Sequence, residues 1–235
     1  MAKAGMAERR NLYGRRQGRP LRAGRRALLD EALPPLAVDL PPDGGGFDLA
    51  DLFDPLPELL FLEIGFGGGE HLAWQAARHP AAGFLAAEYF ITGVASLLGQ
   101  LPDGGRGLAL RLYLGDARDL IERLPDAALD RVFILFPDPW PKRRHHKRRL
   151  IQAATVGELA RVLKDGGELR FATDDPGYLD WALQRLTAEP ALAWQAAGPA
   201  DWRCRPADWP PTRYEEKALA AGRRPAYLRF RRRPR

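Results

Sequence analysis

Residues able to do chemistry stand at the ends of apolar segments in this 235-residue chain. Glu63 precedes Gly65-Phe66-Gly67-Gly68-Gly69, a run that follows an apolar segment at 59–64 and opens a helical pattern. Glycines let the backbone turn tightly and approach a ligand, and the helix start offers free N–H groups. Glu88 closes a second apolar segment, where a carboxylate can bind both hydroxyls of a ribose. Asp116 follows a third, where it can accept from an adenine amino group. A dinucleotide fingerprint calls for Gly or Ala at the sixth position counted from Gly65, and that position is Glu70. An acid just ahead of the loop also disfavours a phosphate and suits a cationic or amino-bearing ligand. Three such acids around one glycine loop point to an adenosyl ligand with a positive centre, S-adenosylmethionine.

A second constellation follows the fourth apolar segment. Phe136-Pro137-Asp138-Pro139-Trp140-Pro141 holds one carboxylate between prolines, which restrict the backbone. Asp138 either caps a turn or faces the ligand site. Immediately after it, Lys142-Arg143-Arg144-His145-His146-Lys147-Arg148-Arg149 carries six fixed positive charges and no acid. In open α/β sheets ligands collect beyond the carboxyl ends of the strands, so the block stands where a polyanion would be delivered to the chemistry. Trp140 either stacks on an exposed base or packs into the protein.

The elements that position these residues alternate. Strands are expected at 59–64, 83–88, 108–114, 131–136 and 168–173, with helices at 70–78, 91–101, 117–124, 150–163 and 178–186. Such alternation implies parallel βαβ units with right-handed crossovers. Residues 226–230 alternate apolar and polar, as a late antiparallel edge strand does. The expected fold is α/β, a doubly wound, mostly parallel sheet with an antiparallel edge strand, as one domain over 31–235. Residues 1–30 read as a basic, flexible arm.

Charge is unevenly distributed. The net charge is +6, yet residues 1–26 carry +8, the block at 142–149 +6 and residues 223–235 +7, which leaves about −15 on the rest. Focused positive charge draws a polyanion to a chosen face. Cys204 is the only cysteine, so no intrachain disulfide forms, and four histidines show no zinc spacing. No metal is expected. No apolar run approaches the roughly 20 residues of a membrane helix. The basic amino terminus lacks the apolar core of a signal peptide, so a cytoplasmic protein without a membrane is expected.

The motifs together resemble one family. Residues 63–67, Phe136 to Lys142 with the basic residues behind it, Ala172-Thr173-Asp174, and Thr212-Arg213-Tyr214-Glu215 are similar to the bacterial tRNA (guanine-N7-)-methyltransferases, in order and spacing, over about residues 55–235. The resemblance implies the seven-stranded class I methyltransferase sheet, S-adenosylmethionine as methyl donor, and N7 of a variable-loop guanine, position 46 of tRNA, as acceptor. It implies donor contacts at Glu63, Gly65, Gly67, Glu88, Asp116 and Asp138, with Asp138 catalytic. It implies substrate contacts at Lys142, Asp174, Thr212, Arg213, Tyr214 and Glu215. RNA contacts are expected along Arg144, His145, His146, Lys147, Arg148 and Arg149. Tyr214 stands where most members have phenylalanine, a change that keeps a ring for stacking. The expected partner is tRNA, with no obligate protein partner and a monomer or homodimer. Two rival readings are a non-catalytic RNA-binding module and a methyltransferase acting on another RNA base or a small molecule. The first does not explain the strand-end acids; a small-molecule substrate leaves the basic block without a task.

Overall fold

A computed structural model describes residues 13–235 apart from 15, 19, 42 and 43, so the first twelve residues of the expected arm lie outside the described residues. The described chain begins with α1 (Ala23–Ala32) and the one-turn α2 (Leu49–Leu52). Five strand–helix alternations follow: β1 (Leu60–Ile64) with α3 (Glu70–Arg78), β2 (Gly83–Ala87) with α4 (Ile91–Leu98), and β3 (Leu110–Tyr113) with α5 (Ala117–Ile121). The fourth and fifth are β4 (Leu129–Leu135) with α6 (Ala153–Val162), and β5 (Leu163–Thr173) with α7 (Pro176–Ala188). Last come β6 (Leu192–Trp194), α8 (Ala200–Arg203), α9 (Arg213–Ala220) and β7 (Ala226–Arg232).

The sheet order is β3-β2-β1-β4-β5-β7-β6. Strands β1 to β5 pair in parallel, whereas β7 runs antiparallel to both β5 and β6. The antiparallel strand expected at 226–230 is present at that side of the sheet, with the three-residue β6 outside it. Every residue of β1 and β2 is buried, as a parallel sheet covered on both faces requires. Alternation along β1 divides the core. Leu60, Leu62 and Ile64 join Leu120, Val156, Leu159 and Tyr178 on one face, while Phe61 joins Leu72, Val94 and Leu97 on the other. The same alternation turns Glu63 toward α3.

Helix α1 crosses the boundary expected at residue 30. Its Leu28 and Leu29 pack against the second cluster and Ala32 is buried there. Arginines dominate its first turn and no side chain caps it, so its sequence reads as basic arm rather than as helix. Among the described residues no helix is long and apolar enough to cross a membrane.

The winding fixes the site. From β1 the chain moves outward to β2 and β3, then returns to β4 on the other side of β1. That reversal opens a crevice beyond the carboxyl ends of β1 and β4, where Ile64 and Ile134 lie in register. The glycine loop and the Pro137–Pro139 loop leave these two strand ends side by side.

Candidate active site

The crevice is a cleft of about 460 Å³ lined by Gly65, Gly67, Glu88, Asp116, Asp138 and Tyr214 among others. Apolar atoms of Ile64, Ala87, Ala117, Leu135, Phe136 and Leu150 complete its walls. Gly65 and Gly67 have φ of +70° and +56°, conformations natural to glycine. A Cβ at Gly67 would stand 2.8 Å from the Tyr214 ring, so ring and loop close on each other only because the side chain is absent.

Glu88 braces this loop. Its Oε2 accepts from Gly67 N at 2.8 Å, and its Oε1 accepts from Tyr89 N at 2.7 Å and Phe90 N at 2.9 Å. Burial pushes its carboxyl above the usual range, the three backbone N–H groups pull it back, and the Asp138 carboxylate pushes it further up. Asp116 caps α5 and forms part of the cleft wall. Arg118 grips both its oxygens, with Nε 2.9 Å from Oδ1 and 3.1 Å from Oδ2 and Nη2 on Oδ2. An adenine amino group reaching this carboxylate therefore competes with Arg118, a residue no motif singled out. Glu63 lies one layer deeper than expected. It borders a small cavity with Gly65, Glu70, Thr212 and Tyr214, and His71 Nδ1 lies 2.7 Å from its Oε2.

Asp138 sits at the mouth of the cleft, exposed, and forms no hydrogen bond or ion pair among the described residues. The loop holding it is bracketed by Phe136 at φ +52° and Trp140 at φ +44°. Left-handed backbone at two aromatic residues costs about 1–3 kcal/mol each and persists only where the surroundings enforce it. Phe136 N donates to Ala172 O at 2.8 Å, and Arg149 Nε donates to Pro139 O at 2.7 Å.

That second bond sets Arg149 apart from the rest of the basic block. Arg149 is 2% exposed; its Nη1 donates to Gly177 O at 3.1 Å and its guanidinium lies over the rings of Tyr178 and Trp181. It is a strut between the Asp138 loop and α7. The rest of the block forms a 3-10 turn at Arg143–Arg148. Lys142, Arg143, Arg144 and Lys147 are exposed. His146 packs its ring edge on Trp181, and His145 on Trp140. Slight desolvation and then the charges of Arg148, Arg144, Lys142 and Lys147 hold His145 below the usual imidazole value. The Trp140 ring, half-buried, is engaged by Arg148 at 5.0 Å and by Tyr13 at 6.1 Å. Tyr13 and Gly14 of the amino-terminal segment thus reach the cleft, with Gly14 lining it, a contact that sequence reasoning missed.

The segment at 212–215 splits. Tyr214 faces the cleft. Arg213 pairs outward with Glu70. Thr212 is buried, with its Oγ1 accepting from Glu215 N at 3.2 Å as the cap of α9. Glu215 is buried as well, accepting from Tyr227 Oη at 2.6 Å and from Arg205 Nε at 3.0 Å. Both side chains thereby seat α9, which carries Tyr214, and Thr212 also borders the small cavity beside Glu63. Burial and the Glu215 carboxylate in turn push the Tyr227 hydroxyl up. Asp174, just past β5, is paired with the exposed Arg223. Among the described residues no group of three His, Cys, Asp or Glu side chains is arranged to hold a metal ion.

Known proteins share this architecture and sequence. The family model described as "Putative methyltransferase" matches residues 57–227. A crystal structure of the antibiotic-resistance methyltransferase Kmr superposes with a TM-score of 0.54 at 18% identity, covering 80% of this chain and 94% of Kmr. The 16S rRNA (adenine(1408)-N(1))-methyltransferase of Catenulisporales acidiphilia with the cosubstrate SAM superposes at 0.52 and 18% identity, covering 84% and 93%. At such identities the likeness concerns the fold alone. Sequence relatives are far nearer. The tRNA (guanine-N(7)-)-methyltransferase of Rhodospirillum rubrum is 56% identical over 95% of this chain and 88% of its own. Those of Paramagnetospirillum magneticum and Brucella anthropi are 47% and 46% identical, over 97% and 95% of this chain and 95% of each relative. Identity at this level across nearly the whole length places the chain in the tRNA (guanine-N(7)-)-methyltransferase family.

Proposed function

We propose that this protein transfers a methyl group from S-adenosylmethionine to N7 of a guanine in tRNA, the variable-loop guanine at position 46. One observation carries the reading: an acid-lined, glycine-floored cleft opens past a carboxylate without a partner among the described residues, Asp138, directly onto an exposed cationic edge.

The cleft suits the donor. Its apolar walls match an adenine ring, Glu88 offers a carboxylate to the ribose, and the acids together favour a positive centre. Gly65, Gly67, Glu88, Asp116 and Asp138 would hold the donor, with Glu63 behind the loop. When bound, S-adenosylmethionine supplies a methyl group carried on a sulfonium. The guanine N7 lone pair takes that methyl carbon as the bond to sulfur breaks, so positive charge moves onto the purine and no proton is transferred. No general base is required, and catalysis rests on alignment and on carboxylates facing the arriving charge. Asp138 and Asp174 suit the N1–H and amino group of guanine, with Lys142 and the Tyr214 ring beside them. Arg144, Lys147 and Arg148, with His145 and His146, suit the phosphates, a contact governed by charge and RNA shape. On the same side Tyr13 meets Trp140.

Incubation with methyl-labelled donor and unmodified tRNA, followed by nucleoside mapping, tests this. Label in N7-methylguanosine at position 46 is expected. Label at another base or in a small molecule would give the chain a different substrate, and tRNA binding without label would make it an RNA-binding module.

A further inference from the structure

Two residues of α3 that no motif singles out, His71 and Gln75, are tied to the donor loop by a chain of hydrogen bonds whose direction can be worked out. Gln75 is fully buried, and its Nε2 lies 3.1 Å from the main-chain oxygen of Asp208. A carbonyl oxygen only accepts, so the amide atom facing it is the nitrogen. That same nitrogen lies 3.1 Å from Nε2 of His71. His71 Nε2 is therefore the acceptor and carries no proton. The proton of the neutral imidazole sits on Nδ1, which donates to Glu63 Oε2 at 2.7 Å. One main-chain carbonyl thus sets the tautomer of a buried histidine and makes Glu63 Oε2 its acceptor.

The arrangement leaves Gln75 Oε1 buried without a partner among the described residues. Its geometric result lies at Glu63, whose Oε2 is fixed by His71. Oε1 has no partner among the described residues and is not sealed away. The small cavity beside Glu63 shares Gly65, Leu135 and Tyr214 with the large cleft, so it is the inner end of the donor site. Around the pair, the His71 ring packs edge-on against Phe133 at 4.5 Å and Trp209 at 6.3 Å, which holds α3 against the sheet whatever the ring's chemistry.

We propose that His71 and Gln75 are positioning residues that fix the Glu63 carboxyl with one oxygen presented to the amino group of the methyl donor. A carboxylate whose rotamer is already fixed loses less freedom when the ligand binds. The inference rests on the reading that Glu63 receives the donor's amino group, and two probes separate the two claims. S-adenosylhomocysteine carries that amino group; 5′-methylthioadenosine has the same adenosyl thioether without it. Calorimetric titration of both into His71→Phe is expected to weaken S-adenosylhomocysteine about tenfold and leave methylthioadenosine unchanged. His71→Asn, whose amide nitrogen falls near the position of Nδ1, is expected to restore most of the loss. Gln75→Leu provides a second route should His71→Phe fail to fold, and its effect is expected on donor KM with kcat at saturation retained. Parallel weakening of both ligands, or no weakening of either, overturns the proposal and leaves His71 a packing residue. Glu63→Gln is the control: if it fails to discriminate the two probes, the reading of Glu63 falls; if it discriminates while His71→Phe does not, the positioning role falls alone.

Discussion

At the inner end of the crevice each carboxylate is held by its own chain: Glu63 by His71, Glu88 by the amides of Gly67, Tyr89 and Phe90, and Asp116 by Arg118. At the outer end, Asp138 has no partner among the described residues, and Lys142, Arg144 and Lys147 project into solvent. Asp174 does have one, but its ion pair with Arg223 is half exposed, and such pairs hold only about 0–1 kcal/mol. A small donor rewards groups fixed in advance, because fixed dipoles need no reorganisation. A large folded polyanion rewards groups that adapt and act through charge. The contrast predicts that inner substitutions change donor binding sharply and locally, and that outer ones change salt dependence or the alignment of the base.

The strongest test of the contrast lies at its boundary. Asp138→Ala is expected to lower kcat roughly 100-fold or more, the scale of a lost alignment, with tRNA affinity changed less than about threefold. Equal losses in both would assign Asp138 to the outer surface. Next, Gly67→Ala forces an L side chain into φ +56° against the Tyr214 ring. It is expected to raise the donor dissociation constant about tenfold in calorimetry, and pairing it with Tyr214→Ala should recover only part, since the backbone strain remains. Glu88 supplies the pH arm. Because burial raises its pKa, its proton returns at a higher pH than for an ordinary carboxylate. Donor kcat/KM should therefore fall on the acid side with an inflection above the usual carboxylate range, and Glu88→Gln should lack that inflection while starting from a lower plateau.

The smallest expected effects separate neighbours within the basic block. Arg144→Gln and Lys147→Gln should each reduce the slope of log affinity for tRNA against log salt by about 1. Arg149→Gln should leave the slope unchanged and cost about 2–3 kcal/mol of stability, seen as a lower melting temperature, because it orphans the Pro139 and Gly177 carbonyls. A change of slope at Arg149 would return it to the RNA surface.

The sheet and its winding were legible because the parallel strands are apolar throughout and separated by helical periods. The reading of Leu60–Ile64, Glu70–Arg78 and Leu163–Thr173 rests on that pattern, although β5 begins five residues earlier than expected by pairing Leu163 with Leu129. The glycine loop and Asp138 were legible because their residue types suit few other purposes. What stayed hidden depends on partners distant in sequence. Nothing in Arg149 distinguishes it from Arg148 except the carbonyls it meets, and nothing in Glu215 reveals Tyr227. Helix α1 was hidden for a different reason: its arginines look like a tail until Leu28 and Leu29 find α4.

The pairing of β1 with β4 also sets when the protein becomes an enzyme. These strands are neighbours in the sheet, yet two complete strand–helix units separate them along the chain. Neither the glycine loop nor the Asp138 loop can form half a site alone, since each supplies one wall of the same crevice. Closing that long loop is entropically slow relative to local helix formation. During refolding, helical signal should therefore return before donor binding, and methyl transfer should appear only in the phase that joins these two central strands.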